Sequence, residues 1–378
     1  MKTSYIIHTF LLVTLLIAAS CKEAFTPPVT DIDTKKILVV EGYISIGNDP
    51  TTITLTHATK LGENSGVQPE SGAMVTVQSD DGNSYPLNEV AGGTYRANAI
   101  AGSTAAKYRV SITTLDGNQY LSDYVQYKQT PPIDDISWEQ QPDGVHIYAN
   151  AHDDAGLTKY YGWDYVETYE YHAPFQTVFK VVNGEILARP PAEQIYQCWE
   201  TVNSSRVLIA STAALSKDII SKKEIEFIPA STEKLGVLYS ILVNQHALTK
   251  EYYNYWLQIS KNTENLGSLF DAQPSQAQGN IYCTTDKSQT VIGFIAASNL
   301  QQKRIFINKN QLQNWLYPPP AYAICDTIHL NAANTQLYLN AGYIPVGYYA
   351  PFMYYAAGLE CVDCTEKGGT TTKPDFWP

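Results

Sequence analysis

From residue 37 onward, polar and apolar side chains alternate one by one. Ile53 and Leu55 sit between Thr52, Thr54 and Thr56, Val75 and Val77 flank Thr76, and Tyr108, Val110 and Ile112 alternate with Arg109 and Ser111. A period of two puts one set of side chains on each face of an extended chain, so these segments bury their apolar face as half-covered β-strands. The interruptions set how the strands connect. Asp81-Gly82-Asn83 and Asp116-Gly117-Asn118 supply the positive φ angles that tight hairpins need, and each is followed by an aromatic, Tyr85 or Tyr120.

Two such hairpins within forty residues predict a mainly β chain that opens, over residues 37–131, with an immunoglobulin-like or carboxypeptidase-regulatory-like sandwich. That unit ends at Thr130-Pro131-Pro132, where two prolines cannot continue a ladder. A larger β-rich domain is expected over 132–378. It begins with the turn Pro142-Asp143-Gly144 ahead of Val145 and Ile147, and continues into an alternation of rings through Tyr161, Trp163, Tyr165, Tyr169 and Tyr171. Such a row either packs a sandwich core or lays out a platform for glycan or peptide, and cross-strand aromatic pairing favours the core.

Asn183-Gly184 marks a further hairpin, and Val207-Leu208-Ile209, Ile225-Glu226-Phe227-Ile228 and residues 239–243, 291–296 and 304–307 read as strands. One helix is expected near 249–266. Thr249 is its N-cap, Tyr252, Trp256, Ile259, Thr263 and Leu266 recur at three and four, and Gly267 stands where it would stop. Its stripe should pack on a sheet, because the polar face offers only Lys250 and Lys261 beside Glu251 and Glu264, too few cations for a membrane-lying helix.

The start of the chain speaks of its destination. Lys2 precedes a largely apolar, uncharged run over residues 5–17, which ends in Ala18-Ala19-Ser20-Cys21. The run is too short to span a bilayer, and small residues before a cysteine suit a signal peptidase, so 1–20 reads as a lipoprotein signal peptide. Cys21 is then the lipidated N-terminus, with palmitate-type acyl chains, and a plain cleaved secretion signal is the alternative. Residues 21–36 contain Pro27-Pro28 and the acids Glu23, Asp31 and Asp33 without a period, as a tether would.

With 37 acidic against 25 basic residues, the chain carries −12, and −13 once Lys2 leaves with the signal, so nucleic acid is not an expected partner. Only 16% of residues are charged, while 28 are Tyr, which predicts a neutral-polar, aromatic surface. The longest later apolar stretch, 343–359, is broken by Pro345, Gly347, Pro351 and Gly358, so no second span is expected.

Five cysteines follow Cys21: Cys198, Cys283, Cys325, Cys361 and Cys364. In an oxidising compartment they read first as disulfides, with Cys198 expected to join Cys283 and Cys325 to join Cys361 or Cys364. The sharper alternative is a structural zinc site of Cys325, His329, Cys361 and Cys364, which have the donor types and local spacings of a tetrahedral centre. Cys361-Val362-Asp363-Cys364 lacks the βαβ context of a redox pair, and Asp153-Asp154 beside Gly156 lacks the alternating carboxylates of a calcium loop.

No nucleophile elbow, zinc-protease helix motif or phosphate-cradling glycine loop occurs, and the seven His are scattered, so no catalytic residue and no cofactor is expected. Dispersed glycosidase acids would leave no local signature, but Glu167 and Glu170 fall on opposite faces of one strand and do not form a pair.

Several motifs together resemble a family of lipidated exported proteins of Bacteroidota-type bacteria, known as domain of unknown function 4249. They are Lys159-Tyr160-Tyr161-Gly162-Trp163, Cys198-Trp199, Tyr252-Tyr253 with Trp256, Phe270-Asp271-Ala272-Gln273-Pro274-Ser275-Gln276, Gly279-Asn280-Ile281-Tyr282-Cys283, Ile292-Gly293-Phe294, and the tail Cys361-Val362-Asp363-Cys364, Gly368-Gly369 and Lys373-Pro374-Asp375-Phe376-Trp377. The likeness runs from about Ile37 to the C-terminus. It implies an outer-membrane lipoprotein, often encoded beside a TonB-dependent receptor, with no established activity. Lys22-Glu23 after Cys21 is also similar to the signals that send such proteins to the cell surface.

The expectation is therefore a surface lipoprotein that binds a nutrient or partner and works with a TonB-dependent receptor, using Tyr-rich segments at 317–322 and 343–355 for contact. The alternatives are an exported hydrolase of polysaccharide or peptide, and a structural or adhesion module.

Overall fold

The computed structural model describes residues 37–47, 49–59, 66–264, 277–315, 325–351 and 353–378, and they are mainly β. The signal peptide, Cys21, the tether, Leu266, Gly267, the 270–276 motif and the 317–322 segment lie outside the described residues.

The N-terminal strands close on themselves. In order around the ring, Lys107–Thr113, Met74–Ser79, Ser84–Ala91, Thr94–Ala97, Thr51–His57, Leu38–Ile44, Ala296–Ser298 and Val125–Lys128 pair in turn, and Val125–Lys128 pairs back onto Lys107–Thr113. The result is an eight-stranded barrel around Leu38, Val40, Ile53, Leu55, Val77, Tyr95, Tyr108 and Ile112. Alternation does what the sequence requires of it: these residues point inward while Thr52, Thr54 and Thr56 are only partly covered. Gly82 and Gly117 take φ of 93° and 87° in the two Asp-Gly hairpins, where a side chain would be strained.

The expected unit at 37–131 is incomplete without later chain. Ile281–Cys283 extends the sheet beside Gln119–Ser122, and Val291–Gly293 and Ala296–Ser298 pair in parallel with Leu38–Ile44. These additions are three residues each, too short to show a period.

A second body is a β-sandwich. One sheet holds Ile133–Gln141, Gly144–His152 and Ile219–Pro229, and the other holds Gln197–Asn203, Leu208–Ser211, Tyr160–His172, Leu238–Ala247 and Gln301–Asn308. The aromatic row on Tyr160–His172 fills the space between them, against Val145, Ile147, Ile225 and Ile228. A smaller C-terminal lobe combines the hairpin Phe179–Val182 and Glu185–Ala188, at the expected Asn183-Gly184 turn, with the sheet Ile328–Leu330, Met353–Ala357 and Ile344–Ala350 and a short helix, Thr335–Asn340.

The predicted helix spans Lys250–Glu264, and Thr249 Oγ1 accepts the Tyr252 N–H at 3.2 Å as its cap. Its stripe is a wedge between bodies: Tyr252 and Tyr255 pack with Tyr43, Phe294 and Ala296 of the barrel side and with Tyr160 and Ile209 of the sandwich.

Candidate functional site

The cysteines brace the molecule, though not as expected throughout. Cys198 joins Cys364, not Cys283, which is a buried free thiol beside Thr285, and Cys325 joins Cys361. Cys283 sits on Ile281–Cys283, built into the barrel sheet, while Cys198 starts an outer strand of the sandwich, so the two belong to different cores. On the chain-entropy model, bridges over 166 and 36 residues stabilise by about 5 and about 4 kcal/mol. The zinc alternative falls with the pairing. Cys325 and Cys361 are oxidised together, Cys364 belongs to the other bridge, and His329 stacks on Tyr349 at 4.4 Å. Among the described residues no group of three or more His, Cys, Asp or Glu could hold a metal ion.

The sandwich tyrosines are core, and their hydroxyls tie polar groups across it. Tyr161 donates to Asp218 at 3.0 Å, Trp163 Nε1 to Gln245 at 2.9 Å, Tyr165 to Glu226, Tyr169 to Glu200 at 2.6 Å, and Tyr171 to the Cys364 carbonyl at 2.8 Å. Burial, with the acceptor carboxylates, raises the phenols of Tyr161, Tyr165 and Tyr169 well beyond the ordinary range, so they remain donors.

Glu167 and Glu170 do lie on opposite faces. Glu167 accepts from Tyr239 at 2.9 Å and Lys234 at 2.5 Å inside the sandwich, whereas Glu170 accepts from His172, Gln197 and Trp377 on the outer face, under the C-terminal tail. Burial lifts the Glu226 carboxyl above its usual value, with Glu167 nearby adding to it, while for Glu170 burial is outweighed by its three donors and the carboxyl is held low. These acids are occupied in packing. Asp153 is likewise spent, accepting the backbone N–H groups of Ala155, Leu157 and Thr158.

Two features face outward. A cleft of about 410 Å³ lies between barrel and helix, lined by Asp123, Tyr124, Glu251, Asn280 and Phe294 among others. The second is an aromatic face on the C-terminal lobe. His329, Tyr355 and Gly347 stand in register across its three strands, and Tyr349 lies two residues beyond Gly347. The His329 ring stacks on Tyr349 and meets Tyr355 edge-on at 4.9 Å, and Tyr349 and Tyr355 are 5.1 Å apart. A side chain at Gly347 would meet nothing within 4 Å, so the strand there is an open floor beside the rings. On the other face Tyr348 and Tyr354 cluster with Phe179, and Tyr348 is still 60% exposed. Of the described tyrosines in 343–355, Tyr348 is exposed and Tyr343, Tyr349, Tyr354 and Tyr355 are half-buried, and the His329 contribution was not anticipated.

The class defined by this architecture is a β-built, disulfide-braced protein whose outward chemistry is aromatic and not metal-centred among the described residues. The chain belongs to the family of domain of unknown function DUF4249, whose model matches residues 22–304. The match begins earlier than the expected Ile37 and stops before the three-stranded sheet of the C-terminal lobe, so both the aromatic face and the tail motifs lie beyond it. No curated protein matches the chain. Among solved structures, it is similar at 10% identity to the crystal structure of a DUF4785 family protein from Legionella pneumophila, with a TM-score of 0.19, over 55% of this chain and 51% of that one.

Proposed function

We propose that the protein is a lipid-anchored outer-membrane surface protein, non-catalytic, which captures a partner for a TonB-dependent receptor. The observation that carries this reading is the ring set of exposed His329 with half-buried Tyr349 and Tyr355 beside Gly347, on a lobe locked by Cys325–Cys361. Stacked rings with a bare edge give large contact area at little entropic cost, and they suit the apolar face of a sugar or the side chains of a peptide. The anchor reading is supported by Cys21 behind its apolar run, and export by two disulfides. The barrel, in which Ser84–Ala91 bends to pair first with one neighbour and then with another, suits an immunoglobulin-like or carboxypeptidase-regulatory-like module.

The test is affinity capture from detergent-solubilised outer membranes, with wild type and a Tyr349→Ala/Tyr355→Ala variant. A TonB-dependent receptor should be recovered by the wild type and lost with the variant. Equal recovery by both, or recovery of no membrane protein, overturns the proposal.

A further inference from the structure

The barrel has an apolar rim at the end where the chain enters it. Ile37 precedes Leu38–Ile44, and its carbonyl accepts the Ala58 N–H at 3.0 Å, which places the entry beside the end of Thr51–His57. From there residues 66–74 cross the same end of the barrel: Gln68 pairs with His57, Glu70 N–H bonds the Leu55 carbonyl at 2.9 Å, and Met74 pairs with Thr113. Four large apolar side chains flank this crossing. Val67, Met74, Val90 and Leu115 are 60 to 79% exposed, and Leu115 is the side chain that a Cβ on Gly72 would strike, at 2.9 Å. Exposed apolar residues are ordinary singly, but four around one crossing segment form a patch that asks for a cover.

Charges at this end are drawn into the loops. Glu89 accepts the N–H groups of Gly72 at 2.9 Å and Gly93 at 3.0 Å, Asp116 accepts from Thr114 and Asn118, and Glu70 pairs with His57 at 2.7 Å. Asp286 caps its own turn through Ser288, which leaves Lys287 as an exposed cation beside an apolar rim.

We infer that this rim rests on the lipid surface, so that the barrel stands on the membrane by its entry end. The inference rests on the anchor reading above for one argument, the chain upstream. Fifteen residues, 22–36, separate Cys21 from Ile37, which reach at most about 50 Å when extended and average about 20 Å when flexible. An acylated Cys21 therefore holds the entry end, and no other part of the molecule so directly, within reach of the bilayer. Among the described residues Lys287 stands at this end against the acids Glu70, Glu89 and Asp116, so charge gives the rim no preference for anionic lipid.

The test uses the full mature chain in two forms, acylated and Cys21→Ser, with neutral phosphatidylcholine vesicles and vesicles containing one third phosphatidylglycerol. The Cys21→Ser form should sediment weakly with neutral vesicles and no better with anionic ones, and Met74→Ser/Leu115→Ser should lower that partition by roughly tenfold. Both substitutions are at exposed positions, and unchanged thermal melting confirms that the variant folds. In the acylated form, amide exchange over 66–74 and 113–118 should slow on vesicles relative to detergent. Loss of partition on substitution supports the rim even if intact mass shows no acyl group, an outcome that would overturn only the anchor reading. Equal partition of variant and parent overturns the rim, as does a soluble dimer abolished by the same substitutions, which would assign the patch to a second copy.

Discussion

Two sets of tyrosines, drawn from similar alternating sequence, have opposite fates. Those on Tyr160–His172 lie at the centre of a five-stranded sheet faced by a second sheet, and Tyr161 and Tyr171 are wholly buried with their hydroxyls bonded. Those on Ile344–Ala350 and Met353–Ala357 belong to a three-stranded sheet with one face against the lobe's own hairpin and helix and no second sheet opposite the other, where Tyr349 and Tyr355 stay half-buried. Alternation says that one face must be covered, but not whether the second is. The difference teaches that ring content alone does not mark a binding surface; the presence or absence of an opposing sheet does.

The contrast can be broken first through the covalent braces, one for each region. Replacing Cys198 and Cys364 together by Ala should cost about 5 kcal/mol and release the tail from the end of the buried row, whereas Cys325→Ala/Cys361→Ala should cost about 4 kcal/mol and loosen the exposed lobe. Denaturant titration followed by proteolysis of the tail distinguishes the two, and equal tail cleavage in both variants would contradict the division. Next comes ring removal. Tyr171→Ala, which empties a filled site and leaves the Gly369 N–H without its acceptor, should cost about 3–5 kcal/mol by chemical denaturation. Tyr355→Ala should cost under about 1 kcal/mol while abolishing capture.

A smaller backbone test lies at the tail. A Cβ on Gly369 would sit 2.3 Å from the Tyr171 hydroxyl, so Gly369→Ala should lower stability by about 2 kcal/mol, with a drop in melting temperature that a Tyr171→Phe/Gly369→Ala pair partly restores. The smallest expected effect is electrostatic and has opposite signs at two carboxylates of the two sandwich sheets, Glu226 on Ile219–Pro229 and Glu170 on the outer face of Tyr160–His172. Glu226 is raised in the folded state, so its contribution is fully present below the unfolded carboxyl value and fades as pH rises through the folded one. Glu170 is lowered, so its contribution is present above the unfolded value and is lost as pH falls through the folded one. Glu226→Gln should therefore raise stability near neutral pH by about 1 kcal/mol and Glu170→Gln should lower it by about the same, as read from pH-dependent melting. Shifts of the same sign would show that the two carboxylates are not in distinct environments.

Where the sequence reading succeeded, the signal was local. Asp81-Gly82, Asp116-Gly117, Asp143-Gly144 and Asn183-Gly184 each close a hairpin, and Thr249 caps a helix, because turn and cap energetics depend on neighbours in the chain. The pairing of Cys198 was misjudged because a bridge over 166 residues is set by which strands become neighbours. The aromatic face escaped for the same reason: His329 belongs to a three-residue strand with no period of its own, and only register with Tyr355 brings it to the rings.

The sequence by itself determined that the chain is built of strands, where most of them turn, that a single long helix interrupts them, and which segments carry unusual numbers of rings. Tertiary structure decided the rest: that the first barrel borrows strands from 281–298, that one row of tyrosines is core and another is left partly open, and which thiols meet. Local preferences act through the nearest few residues, whereas closure of a sheet, burial of its second face and the meeting of distant sulfurs depend on long-range packing, which no short window of sequence contains.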